Sequence, residues 1–341
     1  MISELERRLS GIGLDMGFEV RGFINNLSYR ESVEVRKSIL KGEKTKNVDA
    51  AGEDISIKYL ERIAKEQNVG VRLIIEPTKN SFYDIGQGDM RVNTYLDPVD
   101  GTIKLAGLGN EANVLRMIND SVWGFGVSFT LPTDKEIKDL QIKDFVYSTL
   151  VDGNPSQYPH FPTNAFSILE DGTIKTFEEI EQRYTGRPDH PKYDGGTIKL
   201  ITSSQTNLGQ GIVGWDAFQG FDRNSAESGT EELISKVYEK VANRNAGGAF
   251  DLWRIYGDFG DILRGHLGYE GLEPQGYSRI SFNNHLGNAV PVYSVYKGAG
   301  GSVVDFSGID IGERKLYEGR TNMVFAANKT VEEKLLALIN S

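Results

Sequence analysis

An apolar run that ends in two closely spaced acidic residues is the feature that most constrains this chain. Residues 95–102 read Tyr-Leu-Asp-Pro-Val-Asp-Gly-Thr, with Asp97 and Asp100 three positions apart. On one turn the two carboxylates can project to the same side, where the backbone carbonyl of Val99 adds a third oxygen. Mg²⁺ favours such oxygen-rich, partly hydrated coordination. The segment therefore predicts a metal-binding loop or, as Asp-Pro and Asp-Gly pairs also allow, a plain surface turn.

Two acidic positions upstream and a glycine pair downstream accompany this loop. A buried-strand pattern over residues 71–76 ends in Glu76, and Asp54 stands at the predicted start of a helix. Near the other end of the chain, residues 299–308 carry a glycine pair that leads into a short strand and a turn.

This ordered set resembles the inositol monophosphatase and fructose-1,6-bisphosphatase superfamily of metal-dependent, lithium-sensitive phosphatases. In that superfamily an Asp begins a helix, a Glu ends the next strand, an Asp-Pro-x-Asp-Gly-Thr loop follows, and an Ala-Gly-Gly-x-x-x-Asp segment comes near the end. The match covers roughly residues 40–105 and 245–310. The resemblance implies a layered α/β/α/β/α sandwich, whereas composition alone indicates only an α/β or α+β protein.

The resemblance also implies a metal centre with two or three Mg²⁺ ions. Glu76, Asp97 and the Val99 carbonyl would hold a first Mg²⁺ that lowers the pKa of a bound water. Asp97 and Asp100 would share a second Mg²⁺ that stabilises charge on the leaving alkoxide.

Further residues are implied to act on the water and the phosphate. Thr102, hydrogen-bonded to Asp54, would orient the water, and Glu76 would help to accept its proton. The N–H groups of Gly101 and Thr102, at the start of a helix, would bind the substrate phosphate. The alternative for Asp54 is a plain helix cap.

Several positions depart from the superfamily pattern. The acid that completes the second metal site falls, eleven residues before Ala299, on Asn288, with the Asn pair at 283–284 as the neighbouring alternative. An amide oxygen still ligates Mg²⁺ but carries no charge, so we expect the second site to bind metal more weakly. The acid that usually follows the metal-binding Glu is Pro77, and the Asn that usually follows the Thr loop is Lys104.

Composition excludes several classes of protein. The chain has 341 residues, 39% of them hydrophobic, a net charge of −10 and no cysteine. Disulfides, zinc–thiolate sites and cysteine nucleophiles are therefore excluded, and the negative charge argues against general nucleic-acid binding. The apolar stretches are too short to span a membrane, and residues 1–8 lack the apolar segment of a secretory signal. We expect a cytoplasmic protein with no membrane partner.

The chain is predicted to consist of two α/β halves, with the boundary between residues 196 and 197. Strands are expected at 71–76, 92–97, 122–130, 197–202 and 299–306. Helices are expected as a pair within 3–40 and singly at 229–243, 248–257 and 330–340. Residues 153–195, rich in Pro, Gly, Asn and Asp, are expected to form an elaborated loop or hairpin. The glycines of 209–214 lack the context of a dinucleotide-binding turn and are expected to form a loop.

Three functional interpretations remain open. The leading one is a Mg²⁺-dependent phosphomonoesterase that hydrolyses a small polyol or sugar phosphate, such as inositol monophosphate. The second keeps this chemistry with fructose 1,6-bisphosphate or 3′-phosphoadenosine 5′-phosphate as substrate. The third is a catalytically degenerate relative that binds a phosphorylated metabolite or a partner chain. The resemblance further implies a homodimer.

Overall fold

Six α-helices and sixteen β-strands make up the part of the chain that the computed structural model describes. The described residues are 4–27, 31, 34–37, 44–75, 82–100, 123–153, 162–180, 196–208, 212–216, 230–243, 252–254, 258–274 and 276–341. The helices are α1 (Glu4–Asn25), α2 (Asn47–Gln67), α3 (Thr230–Asn243), α4 (Asp258–Asp261), α5 (Leu286–Gly298) and α6 (Lys329–Ile339). The strands are β1 (Val35–Lys37), β2 (Lys44–Lys46), β3 (Gly70–Ile74), β4 (Phe82–Ile85), β5 (Arg91–Asp100), β6 (Gly124–Thr130), β7 (Phe145–Asp152), β8 (Asn164–Glu170), β9 (Thr173–Ile180), β10 (Gly196–Ile201), β11 (Ile212–Asp216), β12 (Leu252–Arg254), β13 (Gly268–Tyr269), β14 (Gly276–His285), β15 (Ser302–Asp305) and β16 (Arg320–Ala326).

Two mixed sheets contain all of these strands except the β1–β2 pair. The larger sheet has the order β13-β10-β9-β8-β7-β6-β5-β3-β4, and the smaller one has the order β12-β11-β14-β16-β15. From β5 to β10 the strands follow one another as an antiparallel meander. By contrast, β3 runs parallel to β5, with Ile74 opposite Tyr95. The acidic residues of the sequence motif lie at the carboxyl end of this parallel pair.

The helices form three layers separated by the two sheets. α1 and α2 cover one face of the larger sheet, where Val20, Leu60 and Leu96 belong to one core. α5 lies between the sheets and shares a second core with Tyr95 of the larger sheet and Phe325 of the smaller one. α3 and α6 cover the outer face of the smaller sheet. The predicted α/β/α/β/α sandwich is thereby confirmed.

The central helix α5 is apolar on nearly every side because a sheet lies on each side of it. Its buried residues are Leu286, Gly287, Ala289, Val290, Pro291, Val292, Tyr293, Ser294, Val295 and Tyr296. The single hydroxyl that points into the larger sheet, that of Ser294, donates to Ser148 Oγ at 2.5 Å and accepts from Ser167 Oγ at 3.1 Å. These bonds fix the position of α5 along the sheet, and with it the position of Asn288 near the start of the helix.

Most of the predicted elements are present, with shifted bounds. The strands expected at 71–76, 92–97, 122–130, 197–202 and 299–306 correspond to β3, β5, β6, β10 and β15. The helices expected at 229–243 and 330–340 correspond to α3 and α6. Within the excursion at 153–195, the described residues form the β8–β9 hairpin of the larger sheet.

Two predictions near the N-terminus differ from the structure. Among the described residues of 3–40, the helix α1 holds all the apolar positions from Leu5 to Ile24 on which the expected helix pair rested, Glu31 is helical, and residues 35–37 form β1. α1 remains continuous because Gly13 and Gly17 let its backbone lie directly on β7: a Cβ on Gly17 would stand 2.5 Å from Val151 Cγ2. α2 begins at Asn47, so Asp54 lies two turns inside the helix and does not cap it. Before Asp54, Val48, Ala50 and Ala51 are buried, so packing of this segment extends the helix toward the N-terminus.

Two further predictions are wrong in the second half of the chain. Residues 252–254, expected within a helix, form β12, which pairs in parallel with β11. Gly214, expected in a loop, lies inside β11 between β12 and β14. In both places pairing with a neighbouring strand overrides the local sequence pattern. Strand formation depends on the side-chain and hydrogen-bond contacts that the neighbouring strand provides.

The division into two halves remains a prediction. β10, placed by sequence at the start of the second half, pairs with β9 and belongs to the larger sheet. Of the strands that follow it, β13 joins the larger sheet and the others form the smaller one. None of the helices in the described part of the chain combines the length and the apolar character needed to cross a bilayer.

Candidate metal-binding and catalytic site

The end of β5 carries three of the predicted metal ligands. Asp97 and Asp100 are partly exposed, while Val99 between them is buried. The pairing of β5 with β6 shifts register over this stretch, so that Asp97 stands opposite Gly126 and Asp100 opposite Gly124. Such irregularities re-aim side chains at the ends of strands and occur next to active sites. By the two-residue alternation of a strand, Asp97 lies on the same face as Tyr95, which is the face covered by α5.

A phenylalanine from a distant part of the chain covers the two glycines opposite these carboxylates. The Phe259 N–H, in α4, donates to Oδ2 of Asp100 at 2.8 Å. A Cβ on Gly126 would lie 2.4 Å from the Phe259 ring, and one on Gly124 would lie 2.9 Å from Phe259 Cβ. Glycine is therefore required at both positions for Phe259 to reach Asp100. One oxygen of Asp100 is oriented by a main-chain amide before any ligand arrives.

Three predicted residues lie outside the described part of the chain. Glu76, Gly101 and Thr102 all fall there. The described strand β3 ends at Ile74, directly opposite Tyr95, and in the sequence Glu76 follows Ile74 by two positions, as Asp97 follows Tyr95. The roles assigned to these three residues remain predictions.

Asn288 lies in the first turn of α5, the helix that packs against the side of β5 that carries Tyr95. Its Nδ2 donates to Oδ1 of Asn284 at 3.0 Å, and Nδ2 of Asn284 donates to Ser281 Oγ at 3.1 Å. The main chain is irregular just before this point, because Asn283 has φ 48° and the register of β14 against β16 shifts between Ser281 and Asn284. Asn288 thus ends a short chain of amide hydrogen bonds at the junction of β14 and α5.

Asp54 lies on the other face of the larger sheet from Asp97. Its helix, α2, contacts the end of β5 through Gly52, where a Cβ would stand 2.5 Å from Pro98 Cβ. Asp54 itself is partly exposed, whereas the adjacent Glu53 is completely buried. Full burial of a carboxylate is costly and is rarely found unless the group is paired or hydrogen-bonded. Glu53, which could not be singled out from the sequence, is therefore a second acid on α2 to consider beside Asp54.

An open cavity of about 650 Å³ lies beside Asp54, between α1 and α2. It is lined by Glu19, Gly22, Phe23, Asn26, Leu27, Glu31, Ala51, Asp54, Ile55 and Lys58. Next to it, the Tyr59 hydroxyl donates to Oε2 of Glu19 at 2.7 Å. Burial and this bond to the Glu19 carboxylate raise the pKa of Tyr59 to about 12. The Tyr59–Glu19 bond therefore persists across the physiological pH range.

The donor set at the end of β5 fits Mg²⁺ in kind. Asp97, Asp100 and the Val99 carbonyl offer hard oxygens from one short, partly exposed segment, and Mg²⁺ is usually held by one or two carboxylates together with waters. In the residues that the structure describes, no group of three or more His, Cys, Asp or Glu side chains is arranged to hold a metal ion. The third acidic ligand implied by the sequence, Glu76, is outside that part.

The polar contacts that hold α4 in place could not be identified from the sequence. Arg264 lies in the π-helix Ile262–His266, directly after α4, and is paired with Asp152 at the end of β7. The available signal was the alternation of glycines with large residues over residues 123–129, because small residues inside a strand often mark a close approach by another segment. That signal does not identify the approaching segment.

Comparison with known proteins gives structural matches only. No protein-family model matches the chain, and no curated protein sequence shows significant similarity to it. The extragenic suppressor protein SuhB from Bartonella henselae is 12% identical, with a TM-score of 0.56 over 98% of both chains. Fructose-1,6-bisphosphatase from Leishmania major in its holo form is 13% identical, with a TM-score of 0.61 over 99% of this chain and 95% of that one.

An inositol monophosphatase from Zymomonas mobilis is also similar. It is 13% identical, with a TM-score of 0.53 over 99% of this chain and 96% of that one. At these identities the matches establish a shared fold along almost the whole chain.

Proposed function

We propose that this chain, which has the fold of the inositol monophosphatases and fructose-1,6-bisphosphatases, is a Mg²⁺-dependent phosphomonoesterase acting on a small polyol or sugar phosphate. The observation that carries the proposal is the carboxyl end of β5, where Asp97, Val99 and Asp100 follow one another and the Phe259 amide orients Asp100. Several solved structures with this fold are described as phosphatases of inositol or sugar phosphates.

The proposed metal ligands divide into two sets. Asp97 and the Val99 carbonyl, with Glu76, would hold one Mg²⁺, and Asp97 and Asp100, with Asn288, would hold a second. Mg²⁺ bound there would supply a Lewis acid for the phosphoryl oxygens and an acidified water. Because Asn288 is neutral, the second set carries less negative charge, and we expect it to be half-occupied only at a higher Mg²⁺ concentration.

The remaining steps are assigned to residues of the chain itself. Thr102 would orient the attacking water, and Glu76 would take its proton. An acid on α2 would fix the Thr102 hydroxyl; Asp54 is the residue assigned from sequence, and the buried Glu53 is the candidate added by the structure. Main-chain N–H groups of Gly101 and Thr102 would hold the phosphate oxygens.

Two other functions remain as alternatives. Fructose 1,6-bisphosphate or 3′-phosphoadenosine 5′-phosphate would require the same reaction at the same carboxylates. A degenerate relative would bind a phosphorylated metabolite or a partner chain without hydrolysis, and the neutral Asn288 is the observation that favours it.

A phosphate-release screen tests the proposal. The panel contains inositol monophosphates, sugar monophosphates and bisphosphates, and 3′-phosphoadenosine 5′-phosphate, each with Mg²⁺ and with EDTA. We expect Mg²⁺-dependent release from at least one compound and a loss of about 10²-fold or more in Asp97→Asn and Glu76→Gln. Asp89→Asn, which removes the same charge from an exposed residue upstream, serves as the control. Undiminished turnover in EDTA would contradict the metal assignment.

A negative screen would also be informative. If no compound releases phosphate but one of them binds, as measured by calorimetry, the degenerate interpretation replaces the enzymatic one.

The homodimer implied by the resemblance is likewise a proposal, and light scattering on the purified chain checks it. The cytoplasmic location remains a prediction.

A further inference from the structure

Three residues on neighbouring strands form one row across the larger sheet. Asp100 of β5 stands opposite Gly124 of β6, and Gly124 in turn stands opposite Asp152 of β7. The row therefore has an acidic residue at each end and a glycine in the middle. Asp100 is a proposed metal ligand, whereas Asp152 is completely buried and has no part in the proposed reaction.

Residues 258–266, which we name the strap, cross this row and are fastened at both of its ends. At one end the Phe259 N–H donates to Oδ2 of Asp100 at 2.8 Å. At the other end Arg264 makes a two-point contact with Asp152, from Nε to Oδ2 at 2.7 Å and from Nη2 to Oδ1 at 2.5 Å. Gly124 supplies the space between the two ends, since a Cβ there would meet Phe259 Cβ at 2.9 Å and the Gly260 nitrogen at 3.3 Å.

The anchor at Asp152 is itself rigid. Its main-chain N–H donates to the Thr163 carbonyl at 2.7 Å, and its carbonyl accepts from Arg21 Nη1 at 3.3 Å. The Arg264 side chain is 6% exposed and that of Asp152 is not exposed at all. A buried ion pair of this kind is a weak source of stability compared with apolar residues of the same volume, so a positional role is a reasonable account of it.

We propose that Arg264 is a positioning residue that acts through the strap on Asp100. The ion pair of Arg264 with Asp152 fixes the position of the Phe259 amide. That amide in turn orients the Asp100 carboxylate toward the proposed metal site. The inference rests on the proposed function, because it assumes that Asp100 binds Mg²⁺. Groups that hold a metal ligand in place typically change metal affinity by 10–100-fold when they are removed.

The test measures Mg²⁺ binding by calorimetry without substrate, on the full chain. Arg264→Met combined with Asp152→Leu removes both members of the pair, so that neither is left buried without the other. We expect this double variant to bind Mg²⁺ about tenfold more weakly. This is the lower end of the 10–100-fold range for groups that hold a metal ligand, because Arg264 acts on Asp100 through Phe259. Gly124→Ala is a second variant, which displaces Phe259 while leaving the ion pair intact, and we expect a shift in the same direction.

A matched control separates positioning from general destabilisation. Arg314→Met removes the arginine partner of another buried carboxylate, Asp305 in the smaller sheet. We expect this control to lower the melting temperature without changing the Mg²⁺ dissociation constant.

The outcomes distinguish the two proposals. Unchanged Mg²⁺ affinity in both strap variants, with normal binding by the unaltered protein, would overturn the positioning role alone. A shift of the same size in the Arg314 control would also overturn it. No Mg²⁺ binding by the unaltered protein would overturn the proposed function and the positioning role with it.

Discussion

At the scale of single residues, the proposed second metal site contains an amide where the resemblance implies a carboxylate. Asn288 stands in the first turn of α5, where its Nδ2 donates to Asn284. If Asn288 faces the proposed second metal, Asn288→Asp adds one negative charge next to it. About 1–2 kcal/mol of added attraction corresponds to a ten- to thirtyfold change in affinity. We therefore expect Asn288→Asp to lower the Mg²⁺ concentration for half-maximal phosphate release.

Gln87→Glu is the control for this prediction, because it adds the same charge at an exposed residue. The Asn288 variant also loses the bond from its Nδ2 to Asn284, so its melting temperature is measured alongside. A flat Mg²⁺ response with an unchanged melting temperature would mean that Asn288 does not face the second metal. Asn283 and Asn284 would then be the next positions to change.

A second residue-scale prediction concerns the two adjacent acids of α2. Glu53 is completely buried, and its neighbour Gly52 contacts Pro98 of the metal-binding loop, while Asp54 lines the open cavity toward α1. If a carboxylate on α2 fixes the Thr102 hydroxyl, we expect Glu53→Gln to lower kcat by about 10²-fold and Asp54→Asn to leave kcat nearly unchanged. The reverse order of effects would support the assignment of Asp54 made from sequence.

At the scale of elements, α1 depends on glycines that face the sheet. A Cβ on Gly17 would stand 2.5 Å from Val151 and 2.9 Å from Phe125, whereas one on Gly11 meets nothing within 4 Å. Both substitutions to Ala improve helix propensity, so they differ only in packing. We expect Gly11→Ala to raise the free energy of unfolding by about 0.5–1 kcal/mol, and Gly17→Ala to lower it by about 1–3 kcal/mol.

Urea denaturation of the two variants provides the comparison. Equal stabilisation by both would contradict the close approach of α1 to β7. The pair of variants is informative because the two glycines lie in one helix and the change in side chain is identical.

At the scale of the whole molecule, one buried histidine makes folding sensitive to acid. His266 packs edge-on against Tyr296, and burial, together with the Arg279 charge, lowers the pKa of His266 to about 3. Between that value and the unfolded pKa of 6.5, the unfolded chain binds a proton that the folded chain does not. The contribution of this residue to the free energy of unfolding is therefore fully present above pH 6.5. It decreases by about 1.4 kcal/mol for each unit by which the pH drops below that value.

Replacing His266 by Phe removes this dependence and keeps an aromatic ring against Tyr296. We expect the difference in unfolding free energy between pH 7 and pH 5 to be about 2 kcal/mol smaller in His266→Phe than in the unaltered protein. Urea denaturation at the two pH values measures it. An unchanged difference would mean that His266 takes up a proton in the folded state at pH 5.

The features that could be predicted from the sequence are those encoded by adjacent residues. The strand β5 could be predicted because an apolar run leads directly into Asp97, Val99 and Asp100, while the role of these three residues as metal ligands remains a prediction. Contacts such as Phe259 with Asp100 could not be predicted, because they depend on the register of β5, β6 and β7 and on where the strap crosses them.

The burial of the two adjacent acids of α2 could not be predicted for the same reason. The sequence places Asp54 at a helix start, but α2 begins at Asn47, so Glu53 and Asp54 both lie inside the helix and Glu53 is on its buried face. Which face of a helix carries an acid is fixed by packing against distant strands. Periodicity over a few residues does not contain that information.

The long-range contacts of α1 have a consequence for the order in which the protein is made. Arg21, in α1, donates to Asn164 Oδ1 in β8 at 3.1 Å across 143 positions of sequence. At about 5–20 residues per second, a ribosome takes roughly 7 to 30 s to add that length of chain. The helix α2, whose Tyr59 donates to Glu19 of α1, is complete much earlier, and β6 and β7 follow it. α1 therefore meets another helix of its own chain before it meets the sheet that covers its apolar face.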